Sequence, residues 1–466
     1  MADLIGTDET WGEIRAELNA SGMINARQEG MTGNGDETGK FADIMAKAAS
    51  TYRGGVFFPL PTAAGYYTVG EQAVPDKIAM GGVSPAPREA YLLSQLEGYS
   101  SFAPPAGATS IMSFGDEVKL SRIVLFGADA ITGANGKTRD GFFASPANAS
   151  NDIRRAWLDQ CGFFMFRDAI GRSALNPVRT EYVRTVNILN CIVGNSTRGI
   201  NNLVDAQVVG GLVSACDQYG TNQETGANNV FFGGGFTSSD HTKVLNGALN
   251  ACVGMRFAGA INQIMQGCTL DSNSGHGIQL SAGAGLQING GLIKRSGTSD
   301  MHQRDLYQDI NGSGFDSLLI SGLRTQAAVP DDTTAYRRLP FNSFVGTNPT
   351  QGMTVSAPGG KSGTVFSFFV SAGTGSVVLT GVTGAFATSD ALTFSNASTA
   401  TATGADNAPN TVGLSISVSG TGSGRFTANN VEALPRGGTG NRIVVSNTGS
   451  FGRGYRLIGN YDVADV

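Results

Sequence analysis

The sequence predicts an all-β chain, most of it wound as a β-solenoid of short stacked strands. Three observations carry this: a recurring phrase between residues 186 and 325, a composition rich in turn formers, and two apolar columns flanking each turn. The phrase reads VNILNCIV, AQVVGGLV, NVFFGGGF, NQIMQGCT, GLQINGGL and DSLLISGL. Its anchors are Cys191, Gly211, Gly235, Gly267, Gly291 and Gly322, spaced 20, 24, 32, 24 and 31 residues apart. Three residues before each anchor stand Ile188, Val208, Phe232, Ile264, Ile288 and Leu319; one residue after stand Ile192, Leu212, Phe236, Cys268, Leu292 and Leu323. The residue just before the anchor is small or polar each time: Asn190, Gly210, Gly234, Gln266, Gly290 and Ser321. Apolar columns on either side of a polar or glycine corner describe a strand that ends, a bend, and a new strand. Units of this size bury their apolar face only by stacking. A β-sandwich with scattered glycines is the competing reading, and the two unbroken apolar columns favour the solenoid.

Composition agrees. Of 466 residues, 66 are Gly, 15% are charged and 41% are hydrophobic. That little charge does not fit a coiled coil or helical bundle, and that much apolar content does not fit disorder. A net charge of −5 gives no basic footprint for nucleic acid. Cys161, Cys191, Cys216, Cys252 and Cys268 are an odd number with no local framework, which argues for thiols acting as small apolar fillers. There is no Cys–His metal spacing, and the GGG at 233–235 lacks the lysine of a phosphate loop. No metal and no cofactor is expected. The start has acids and no apolar segment of signal-peptide length, and no stretch is long enough to cross a membrane.

In chain order, residues 1–23 are expected to form an attachment segment with a short helix over 8–20, striped by Trp11, Ile14 and Leu18. Residues 24–69 hold a turn (Gly33, Gly35, Asp36, Glu37, Thr38), a helix stripe (Phe41, Ile44, Met45, Ala48), a strand (Gly54, Gly55, Val56, Phe57, Phe58, Pro59) and a second strand with Tyr67 and Val69. This succession resembles the opening of the pectate-lyase-like superfamily of right-handed parallel β-helices, and in style the tailspikes and tail fibres of bacteriophages. It departs from the usual pattern at Asn34, where an aspartate is common, and in the longer LPTAAG turn. The resemblance implies a right-handed parallel β-helix over 24–325 with an N-terminal capping helix that blocks an open strand edge. An irregular excursion is expected over 75–115, from its five prolines. Strand pattern returns at 121–131 and again at 157–166. Residues 326–350 read as a linker, and 351–466 as a C-terminal β-sandwich-like domain of alternating strands, for trimerisation or carbohydrate binding.

On a β-helix the functional groups ride on loops and exposed strand faces. The long intervals hold Asp217, Tyr219 and Glu224; then Asp240, His241 and Lys243; then Asp271 and His276; then Arg295, Asp300, His302, Arg304, Asp305, Tyr307 and Asp309. Paired carboxylates serve glycoside hydrolysis, one as acid and one as base or nucleophile. The catalytic candidates are Glu224, Asp240 and Asp271. The substrate-binding candidates are Asp217, Tyr219, His241, His276, Arg295 and Tyr307, with aromatic faces for sugar rings and arginine for acidic groups. Each of these acids has a plainer reading as a turn former. Asp240 beside His241 is no triad, because neighbours on a strand point to opposite faces. Asp305, Arg304 and Asp309 are the acids and base a calcium-dependent lyase would use.

The resemblance implies a virion tail protein that binds host capsule or lipopolysaccharide and depolymerises it by hydrolysis. It further implies a homotrimer attached to tail or baseplate through the N-terminus, with no membrane insertion. A receptor-binding spike without enzymatic activity and a free polysaccharide lyase are the alternatives.

Overall fold

In a computed structural model, the described residues are 23–50, 54–62, 65–88, 90, 93–129, 136–144, 152–173, 183–237, 253–271, 273, 277–294, 310–326, 336–406, 414–434, 442–445, 451–459 and 463–465. The predicted helix at 8–20 lies outside them. The chain divides into two units, Met1–Ser214 with Asn222–Gly234, and Ala215–Thr221 with Gly235–Val466.

The first unit is a parallel coil, right-handed as the great majority of parallel crossovers are. Strands of two to four residues pair in parallel with strands one turn later, and their middle residues stack inward. One interior column runs Ile24, Val56, Met80, Leu120, Leu158, Ile188, Val208 and Phe231. A second runs Tyr67, Phe102, Leu125, Phe163, Val193 and Val213. A third face stacks Phe142, Ile170 and Ile200. All of these are buried, and each such side chain contributes about 1.5–3 kcal/mol of transfer free energy. The corner between the first two faces is turned by Gln160, Asn190, Gly210 and Gly233, with φ between 49° and 63°. Left-handed backbone suits glycine and is tolerated by short polar residues.

The helix Thr38–Ser50 buries Phe41, Ile44, Met45 and Ala48. Asp36 caps it by accepting from the Thr38 backbone N–H at 3.0 Å. Glu37, itself buried, accepts from the N–H groups of Thr32 and Gly33 at 2.7 and 2.9 Å. Phe41 stacks on Phe58 and meets Phe102 edge-on, which joins the helix to the inside of the first turns. Residues 75–115 are not an excursion. They supply the strands Ala79–Gly81, Ser100–Ala103 and Met112–Phe114 to the coil. Their prolines fall between strands, where no ladder N–H is needed.

The second unit repeats the plan. Met265, Ile288, Ile320 and Ala428 form one inward column, and Phe236, Leu270, Ile293 and Thr325 another. Gly267, Gly290, Gly322 and Asn430 turn its corners at φ 48–65°. Three repeats are therefore one residue out of step with the sequence reading. Phe231, Met265 and Ile320 face inward, while Phe232, Ile264 and Leu319 occupy outward positions of the same strands. The structural anchors are Gly234, Cys268 and Leu323. A slip of one residue exchanges the two faces of a strand.

The predicted C-terminal β domain is an antiparallel barrel closed by Tyr336–Val345, Thr374–Thr383, Lys361–Ser371, Thr354–Ala357, Ala391–Phe394 and Thr399–Ala402 in that order. Leu339, Phe341, Val355, Val365, Leu379, Leu392 and Phe394 fill it. It begins inside the stretch read as a linker. After it the parallel coil resumes: Leu414–Asn429 pairs with Ile310–Ser321, then with Arg442–Val445 and Tyr455–Ile458. The barrel is thus an insertion between two turns of one coil, and 351–466 is not a single terminal domain.

Candidate functional site

In the first unit the described polar groups gather where the chain leaves the third face. Asp168 is fully buried and paired with the nearly buried Arg198 of the next turn, Oδ1 to Nε 2.6 Å. Its other oxygen accepts from the Ser173 N–H at 3.3 Å. The Ser173 hydroxyl accepts from Asn222 Nδ2 at 3.1 Å and donates to Glu224 Oε2 at 3.3 Å. Asn202, in left-handed conformation at φ 41°, donates to the same Glu224 oxygen at 3.4 Å and to the Arg172 carbonyl at 2.8 Å. Its side-chain Oδ1 accepts from the N–H groups of Glu224 and Thr225 at 2.6 and 3.0 Å. Glu224 is therefore half-buried and oriented by groups from two other turns. Asp168, the neighbouring acid, is committed to Arg198 and offers no second carboxylate for proton transfer.

In the second unit, Tyr219 and Arg256 come together. The guanidinium carbon of Arg256 lies 5.1 Å from the centre of the Tyr219 ring, a cation–π arrangement. Both are half-buried. Arg256 takes an outward position between the buried Met255 and Phe257, and Gln279 is its partner in register on the next turn. Asp217 precedes Tyr219 by two residues and is half-buried. On another face Asp271 sits across from Lys294, which holds its carboxylate at 3.0 Å. Asp271 is thus charge-compensated.

Of the predicted site residues, Glu224, Asp271, Asp217 and Tyr219 are described. Asp240, His241, His276, Arg295 and Tyr307 lie outside the described residues. Sequence reasoning missed Arg256, Ser173 and Asn202. Arg256 carried a readable signal, a lone charge in the alternation VGMRFA where strand period places it outward. Four of the cysteines, Cys161, Cys191, Cys216 and Cys268, are buried. Burial pushes the Cys268 thiol up to about 12 and raises that of Cys191 as well, where Cys161 stands beside it.

The fold and these outward rows define a parallel β-helix protein. No protein-family model matches the chain. Among solved structures, it is similar to the enzymatically active domain of tailspike protein 2 of bacteriophage CBA120, at 11% identity and TM-score 0.46, over 82% of this chain and 76% of that one. It is also similar to the A-module of mannuronan C-5 epimerase AlgE4 of Azotobacter vinelandii, at 12% identity and TM-score 0.42, over 66% and 89%. A third is DFA-IIIase of Arthrobacter chlorophenolicus A6, at 10% identity and TM-score 0.40, over 66% and 88%.

Proposed function

We propose that the chain is a phage tailspike or tail fibre that binds host cell-surface polysaccharide, capsule or lipopolysaccharide. The observation that carries this reading is the outward row of Tyr219, Arg256 and Gln279: an aromatic face, a guanidinium and an amide on successive turns of a rigid coil. Aromatic faces stack on the C–H side of sugar rings, guanidinium pairs with carboxylate or phosphate in two-pronged fashion, and amides exchange hydrogen bonds with hydroxyls. Asp217 completes the polar edge. His241, His276, Arg295 and Tyr307, from the neighbouring long intervals, extend the same binding role. The N-terminal segment 1–23 serves attachment to the tail or baseplate, the assembly is a homotrimer, and the protein acts outside the host cell.

Cleavage by glycoside hydrolysis is the finer part of the proposal. Glu224, held by Ser173 and Asn202, is the candidate acid of the first unit, and Asp240 and Asp271 remain the candidates of the second. A binding-only spike is favoured by one observation: Asp168 and Asp271 are both engaged by cations.

The test mixes the full chain with a panel of encapsulated and smooth bacterial strains and with their purified polysaccharides. Adherence, new reducing ends and the absorbance of unsaturated uronate are read separately. Arg256→Ala is expected to weaken adherence about tenfold, the equivalent of ~1.4 kcal/mol. Glu224→Gln is expected to abolish new reducing ends with adherence kept. Adherence without product removes the hydrolase reading, unsaturated uronate replaces it with a lyase, and no adherence to any strain removes the polysaccharide reading.

A further inference from the structure

The first unit carries a second aromatic position on the outside of its coil, away from the Glu224 network. Trp157 opens the strand Trp157–Asp159 and is 42% exposed. Leu158 takes the inward position between Leu120 and Ile188, so Trp157 and Asp159 face out. The partner of Trp157 on the preceding turn is Lys119, on the following turn Asn187, and one turn further Gln207. Lys119 and Gln207 are exposed and Asn187 half-buried. The second outward row passes through Ser121, Asp159 and Leu189. The turn before Lys119 presents Ala79 and Gly81 at these positions, and the side chains of Met23 and Phe57 lie beside Gly81.

An indole bordered by an ammonium, two carboxamides, a hydroxyl and a carboxylate, with Leu189 and Val209 beside the carboxamides, is a mixed surface rather than an apolar docking patch. A helix or a second copy laid over it would strip water from Lys119 and Asp159 without replacing their hydrogen bonds. A sugar ring has the opposite character. Its C–H face covers an indole, and its edge of hydroxyls reaches amides, ammonium and carboxylate. Parallel strands repeat about every 4.8 Å, close to the advance of one sugar in an extended glycan. A glycan lying along the coil axis therefore meets one side chain of the Lys119, Trp157, Asn187 and Gln207 row per residue.

From this we infer that the Trp157 row is a second glycan-binding surface, taking an extended oligosaccharide strand along the coil. The inference rests on the polysaccharide reading above and adds to it a site in the first unit. The chain has two tryptophans, Trp11 and Trp157, so Trp11→Phe leaves Trp157 as the sole indole reporter. The full chain carrying Trp11→Phe is titrated with polysaccharide from strains to which the parent adheres, and with hexasaccharides of a neutral glucan and of a polyuronate. Saturable change in Trp157 emission is expected, and calorimetric titration should show about tenfold weaker binding in Trp157→Ala and a smaller loss in Asn187→Ala. Three results overturn the inference. The first is binding that depends on Arg256 while Trp157 emission and Trp157→Ala affinity stay unchanged, which leaves the polysaccharide reading standing. The second is no response to any probe together with no adherence, which removes both. The third is emission already shielded in the ligand-free protein and exposed on dilution, which makes Trp157 a contact between copies.

Discussion

Gly211 and Gly233 occupy neighbouring turns and separate two costs that a corner residue can carry. Both have left-handed backbone, at φ +79° and +62°. An added methyl at Gly211 would stand 2.2 Å from the Cys191 carbonyl oxygen and 3.0 Å from its nitrogen; at Gly233 it meets nothing within 4 Å. Left-handed backbone costs an L-residue about 1–2 kcal/mol at either site. The close approach at Gly211 adds about 1–3 kcal/mol of overpacking, because the obstacle is backbone of the turn beneath. Gly211→Ala should therefore lose roughly 2–5 kcal/mol and Gly233→Ala only about 1–2 kcal/mol. The assay is hydrogen exchange at the Leu212 amide, which donates to the Cys191 carbonyl at 3.0 Å across the same contact. Protection should fall about tenfold for each 1.4 kcal/mol, and further in Gly211→Ala. Equal loss in the two variants would refute stacking of Gly211 on Cys191, and with it the inter-turn register in this part of the coil.

Arg198→Met leaves the buried Asp168 carboxylate without the guanidinium that compensates it, and should cost about 3–5 kcal/mol in denaturant unfolding. The double change Asp168→Leu with Arg198→Met should recover most of it, since removing both charges removes the desolvation as well. In a Cys252→Ser background, the buried thiols of Cys161, Cys191, Cys216 and Cys268 should react with a thiol reagent at pH 8 only in denaturant; rapid labelling of Cys268 under native conditions contradicts its burial. In the barrel, the Lys361 ammonium and then the Ala387 N–H hold the Asp390 carboxyl below its ordinary value. A lowered value means stability present above the unfolded carboxylate range and lost as pH falls through the folded one. Asp390→Asn should therefore weaken protection of the Ala387 amide at neutral pH, and the difference from the parent should vanish in acid.

The opening of the coil was legible because its chemistry is local. A cap at Asp36, a stripe of Phe41, Ile44, Met45 and Ala48, and the following strand all lie within a few dozen residues. The register of later turns was harder to read. Strands such as Val230–Phe232 and Ile264–Gln266 are three residues long, and their outward positions carry Phe232 and Ile264, as apolar as the inward Phe231 and Met265. Hydrophobicity alone could not choose between faces. The return of the coil after the barrel was hidden for another reason. Leu414–Asn429 finds its partner at Ile310–Ser321, about a hundred residues earlier, and its Val, Ser and Thr alternation fits an antiparallel sheet equally well. At the site, Tyr219 was found by residue type. Asn202 and Ser173 were not, because their role comes only from turns of the coil that bring them to Glu224.

The most direct measurement is the binding isotherm of the full chain and of Arg256→Ala on purified surface polysaccharide from an adherent strain, at physiological salt. The account predicts saturable binding by the parent, weakened about tenfold when the guanidinium over Tyr219 is removed. Identical isotherms for the two proteins would contradict the claim that this outward row of the coil is where polysaccharide is held.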